Sequence, residues 1–174
     1  IQGRLSRPIE GFQECPVNWQ QEFSLLPELN LNHIEWIVTK KSFGTNPIFT
    51  DDVSRYPISS ICADNLVDER IIDKEYLYNN LIPLCDAAIR NDIDSITIPL
   101  LEDSSLSNNK KREIFSSLLT EIIDQYQGLN FLFEAELGYS QLEELLSLSD
   151  RCYVTYDTGN ITSCGLDHTE YLER

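Results

Sequence analysis

Methionine is absent from this chain, histidine occurs only twice, and 13 lysines and arginines face 29 aspartates and glutamates. The resulting net charge of −16 repels phosphate backbones and anionic lipid surfaces, so neither nucleic acid nor membrane is an expected partner. The only three-residue basic run, Lys110-Lys111-Arg112, reads as the solvated first turn of a helix. Five cysteines, at 15, 62, 85, 152 and 164, show no paired spacing, which excludes a disulfide framework and makes a reducing cytoplasm the expected setting. No apolar run approaches the roughly 18 residues that a membrane-spanning helix needs. No glycine-rich phosphate-binding loop follows any strand. With Ile1 already in strand-like sequence and Asp167-His-Thr-Glu-Tyr-Leu-Glu-Arg174 only beginning a helix, residues 1–174 are expected to form a single domain incomplete at both ends.

What is present is an alternation of short apolar runs with amphipathic stretches. Apolar content of 41% with 24% charged residues is that of a soluble globular domain. Strands are expected near Ile1–Ser6, Asn32–Val38, Ile58–Asp64, Asp94–Leu101, Asn130–Glu136 and Arg151–Asp157. Between them, Asn18 and Gln21 have capping-box spacing for a helix over about 19–29. Asp73 can cap a helix to about 90 despite Pro83, and Ser107 and Gly128 bracket a helix over 108–127. Ser140 and Glu143 open a short helix to about 148, and Asp167 and Glu170 open another. About six βα units in strict alternation imply parallel pairing, as an open doubly wound sheet or as a (β/α)8 barrel. The missing phosphate-binding loop favours the barrel, of which this chain would supply about the first six units, since a whole one needs roughly 250 residues.

Two of the apolar runs end in carboxylates: Glu134 in Asn130-Phe-Leu-Phe-Glu-Ala-Glu136, and Asp157 in Arg151-Cys-Tyr-Val-Thr-Tyr-Asp-Thr-Gly-Asn160. Strand alternation sets Glu134 opposite Phe131, Phe133 and Ala135, and Glu35 opposite Ile34 and Trp36. The same reasoning turns Asp157 inward with Tyr153 and Thr155, and sets Asp64 opposite Ile61 and Ala63. Four acids are thus expected to converge at one mouth, where the carboxyl ends of parallel strands carry chemistry. Arg4 is the nearest base, with Lys40 and Lys41 behind it. Buried carboxylates are costly without a cation, so a divalent ion, Mg²⁺, Mn²⁺ or Zn²⁺, is the expected cofactor.

Gln2-Gly-Arg-Leu-Ser6, Phe12-Gln13 before Pro16, Trp19 with Glu22-Phe23, Ile34-Glu-Trp-Ile37, Asn46-Pro47, Cys62-Ala-Asp64, Ile98-Pro-Leu100 and Tyr156-Asp-Thr-Gly-Asn160 occur in the order found in xylose-isomerase-like TIM barrels. The chain resembles most the sugar phosphate isomerase/epimerase branch. The resemblance implies a divalent metal on Glu134 and Asp157, completed by a His and a Glu on strands seven and eight, which lie outside this sequence. It implies an isomerase or epimerase that moves a proton between adjacent carbons of a sugar or sugar phosphate through an enediolate. Glu134 would be both metal ligand and catalytic proton carrier, and Arg4, Glu35, Asp64 and Asn160 would bind the substrate. Asn160 departs from the His that many members carry, and the connection between strands two and three is short. His33 falls at a strand entrance, the end of a barrel that serves stability, and His168 falls at no ligand position of the family.

Two other readings remain open. A barrel fragment that is catalytically incomplete would act as an interaction or structural module, and its exposed strand edges would pair with another chain, a second copy included. An apurinic endonuclease-like nuclease shares the scaffold but binds zinc through several histidines, against which two histidines and the charge of −16 argue.

Overall fold

The computed structural model describes residues 2–8 and 13–172. Ile1, Phe12, Glu173 and Arg174, which belong to the segments named above, lie outside the described residues. Five strands are formed, β1 (Ile34–Ile37), β2 (Ile58–Cys62), β3 (Ser95–Leu100), β4 (Asn130–Ala135) and β5 (Cys152–Val154). They pair in parallel in the order β1-β2-β3-β4-β5. A doubly wound sheet reverses its strand order at a switch point. Here every strand pairs with its successor in the chain and no reversal occurs. The described residues therefore form an α/β fold with an open, all-parallel sheet.

The first expected strand is reduced to one parallel bridge, Gln2 to Glu35, with Gly3 N donating to the Glu35 carbonyl at 2.9 Å. Gly3 turns the chain away at once with φ +76, and a Cβ there would lie 2.7 Å from Gln13 Cβ, so only glycine fits.

The helices are α1 (Gln20–Leu25), α2 (Pro47–Thr50), α3 (Lys74–Arg90), α4 (Asn109–Gln125), α5 (Tyr139–Leu146), α6 (Thr158–Ser163) and α7 (His168–Leu172). α3 forms as its sequence predicts: the Asp73 carboxylate accepts from Tyr76 N, and Leu77, Leu81, Leu84 and Ala88 form its buried stripe. Pro83 is accommodated inside it. α1 is shorter than the expected 19–29, and Asn18 makes no side-chain cap; Trp19 takes the cap position with helical backbone angles. The reason lies in packing, because Trp19 is drawn into a ring cluster with Phe23, Trp36 and Tyr56 at centroid distances of 4.9–6.2 Å. Asn108 rather than Ser107 caps α4, and α5 starts after Gly138 without a side-chain cap.

Strand alternation divides the sheet into two unlike faces. Trp36, Ile61, Ile96, Ile98, Phe131 and Phe133 join one apolar core with the buried stripes of α3, α4 and α5. Glu35, Ser60, Cys62, Thr97 and Glu134 lie on the other face, and none of them belongs to that core. A parallel sheet normally has both faces covered by apolar layers. This one keeps a polar face for something else.

Arg151 shows how a surface charge serves this packing. Its guanidinium donates to the carbonyls of Ile123, Tyr126 and Leu129, each at 2.8 Å, and so ties the end of α4 to the start of β5. Arg151→Ala is expected to lower the unfolding free energy by about 1–3 kcal/mol in urea denaturation, because three acceptors lose their donors together. Arg151→Lys should recover part of the loss, since one ammonium cannot span all three carbonyls.

Candidate active site

A cavity of about 860 Å³ opens at the carboxyl ends of the strands, with Cys62, Pro99 and Glu134 in its floor and Asp64 and Asn160 in its wall. Glu134 is the next-to-last residue of β4 and only 7% exposed. Its Oε1 accepts from Asn160 Nδ2 at 2.8 Å. Burial, then the nearby charges of Asp157 and Glu35, push its carboxyl pKa above the ordinary carboxylate range, with Asn160 pulling the other way. Glu134 therefore holds a proton more readily than a free glutamate. That property suits a proton carrier.

Glu35 lies beside it on the polar face. Its Oε1 accepts from Ser60 Oγ at 3.0 Å and from Thr97 Oγ1. These contacts cross from β1 to β2 and β3, and they hold Glu35 in the sheet floor. Asp64 opens a 3-10 turn directly after β2, where burial and then Glu14 raise its pKa while Lys40 lowers it.

Asp157 is placed differently from the inward strand position expected for it. Strand β5 ends at Val154, and Asp157 is exposed as the N-cap of α6, its Oδ1 accepting from Gly159 N at 2.6 Å and Asn160 N at 2.9 Å. The chain must turn sharply here, and a Cβ on Gly159 would come within 3.0 Å of that same Oδ1. The capped turn in turn delivers the Asn160 amide to Glu134. Asp-Thr-Gly-Asn is thus one device that fixes an acid and orients another. A carboxylate two residues before glycine is the sequence signal for such a cap, and reading it as strand hid α6.

Arg4 is not in the large cavity. Its Nε and Nη2 donate to Ser6 Oγ and its Nη1 to the Glu14 carbonyl, so it braces the loop after Gln2 and lines two smaller cavities. His168 is held between the Tyr156 hydroxyl, 2.6 Å from Nδ1, and Thr162 Oγ1, 3.0 Å from Nε2, and so ties α7 to α6. Polar residues of the cavity to which the sequence assigned no role include Gln2, Glu14, Glu102 and Asp103. Glu102 and Asp103 open the turn that follows β3 after Leu101, so the rule that chemistry gathers at carboxyl strand ends could have found them. Gln2 Nε2 donates to Cys62 Sγ at 3.3 Å across the floor.

Glu134, Glu35 and Asp157 make none of the four ion pairs among the described residues, which join Lys40 and Arg70 to Asp68, Lys74 to Glu121 and Arg112 to Glu144. Among the described residues no lysine, arginine or histidine forms an ion pair with them. Glu134 and Asp157 carry carboxylate oxygens, the donor type that hard divalent ions take, and only Glu134 of the two lines the cavity. Among the described residues no three His, Cys, Asp or Glu side chains gather as a group that could hold a metal ion. No helix among the described residues is long and apolar enough to cross a membrane. Scans against protein-family models, curated proteins and solved structures each found no match, and the site is read from its own chemistry.

Proposed function

We propose that this chain carries part of the active site of a metal-dependent sugar or sugar-phosphate isomerase or epimerase, on a (β/α)8 barrel of which the five strands and the Gln2 bridge are consecutive units. The observation that carries the reading is Glu134: a buried carboxylate with a raised pKa at a strand end, beside a second acid and with no ion pair among the described residues. The sequential strand order and the polar, core-free face support the barrel, in which that face would turn toward the axis.

Moving a proton between adjacent carbons needs a group that accepts it and returns it near neutral pH. The raised pKa of Glu134 moves it toward this role, and Asn160 Nδ2 holds its Oε1 in place. Asp157, with Oδ1 committed to the α6 cap, has Oδ2 to offer. A divalent ion held by these two carboxylates would polarise the substrate carbonyl and stabilise the charge that develops on its oxygen.

Mn²⁺ titration by calorimetry tests the reading. The chain is expected to bind one Mn²⁺, and Asp157→Asn, which retains an N-cap side chain, should weaken binding at least tenfold. No binding, or binding unchanged by the substitution, would sink the metallo-isomerase reading. It would leave the interaction-module alternative, whose support is the open sheet ending in the three-residue β5 with Tyr153 half exposed.

A further inference from the structure

The walls above Glu134 carry Glu14, Asp64, Glu102 and Asp103, and the cations facing them are Lys40 and Lys41. Lys40 is already engaged, its Nζ 2.9 Å from Asp68. Arg4, the one guanidinium that the sequence offered for an anion, is turned onto Ser6 and the Glu14 carbonyl. Asp64 holds its proton more tightly than usual partly because Glu14 and Glu102 stand near it, which reports negative charge crowded against negative charge. Glu102 keeps its carboxylate at the rim although its backbone has φ +49, a conformation that glycine or asparagine would adopt at less cost.

Ionised carboxylates are acceptors only. They receive hydrogen bonds from sugar hydroxyls, whereas phosphate oxygens are themselves acceptors and bring charge of the same sign. A bound divalent ion would offset part of the floor's charge without adding a donor to the walls. We propose that the ligand of this cleft is an uncharged polyhydroxy compound, a free sugar or polyol, and that Glu14, Asp64, Glu102 and Asp103 reject its phosphorylated counterpart. This rests on the sugar reading above and narrows it, since specificity here comes from a built-in repulsion. Gln2 and Asn160 supply amide groups, and the carboxylates supply acceptors, for a ring of hydroxyls.

The test is calorimetric binding in Mg²⁺ buffer of D-fructose, D-fructose 6-phosphate and inorganic phosphate, to the chain as it is and to the double variant Glu102→Lys/Asp103→Lys. Both positions are exposed and outside the proposed catalytic pair. The expected result is that the free sugar binds at least tenfold more tightly than its phosphate, with a ratio that shrinks at least fivefold in the variant. Tighter binding of the phosphate ester, or millimolar binding of inorganic phosphate by the unaltered chain, overturns the proposal. If the unaltered chain binds none of the three and the variant gains inorganic phosphate, anion rejection stands and the sugar reading falls. A variant that also gains nothing overturns the assignment of rejection to these walls.

Discussion

Phe133→Ala is expected to lower the unfolding free energy by about 3–5 kcal/mol, the range for removing a buried aromatic ring from a packed core. Phe133 is fully buried on the helix side of β4. It pairs in register with Ile98 of β3 and Val154 of β5, so strands flank it on both sides. The cost should exceed that of Arg151→Ala, because the cavity term adds to the lost burial. Its neighbour on the opposite face is Glu134, and the strand that Phe133 anchors is the one that carries the candidate acid. Urea denaturation of Phe133→Ala beside Phe133→Leu checks this. A loss below about 1 kcal/mol for the alanine variant would mean that β4 is not central to the core.

Glu134→Gln should act in opposite directions on stability and on function. A carboxyl whose folded pKa is raised favours the folded state while protonated. That contribution is fully present below the ordinary carboxyl value and is lost as the pH climbs through the raised folded value. Burial is the first cause of the shift and Asp157 the second, so at neutral pH the ionised side chain works against folding. Glutamine keeps an oxygen for Asn160 Nδ2 and removes the charge. The variant is therefore expected to melt at a higher temperature than the parent at pH 7, with the gap closing at pH 4, while Mn²⁺ affinity falls at least tenfold. Thermal melts of both proteins at the two pH values decide it, and a gap that does not change with pH would refute the assignment of the shift to Glu134. Such a trade, stability lost for a reactive group, marks functional positions.

Local chemistry made much of the fold legible. Asp73 with a leucine every three or four residues is enough to write α3, and the apolar runs give five strands because parallel strands covered by helices need little else. The polar face of β4 followed from side-chain alternation alone. What could not be read depends on contacts distant in the chain. Nothing near Asn46 shows that its Oδ1 accepts both from Trp36 Nε1 at 2.7 Å and from Ile48 N at 3.1 Å, making one residue a helix cap and a core partner. The hydroxyls of Ser60 and Thr97 meet Glu35 only because three strands share a register. The Asp157 position was missed for the opposite reason: its determinant is local, but an apolar run leading into Asp-Thr-Gly looks like a strand until the cap is recognised.

The sequential strand order also sets how the chain can assemble in time. Ile61 finds Ile96, and Ile96 finds Phe131, each across a single strand-helix-strand passage. Closing a loop of roughly 30 residues costs about 3 kcal/mol in chain entropy, and the same modest step recurs at each addition. Among the described residues every strand finds a partner in a strand next to it along the chain. Growth can therefore proceed from the amino-terminal side as the ribosome releases the chain, each new unit adding to an edge that already exists.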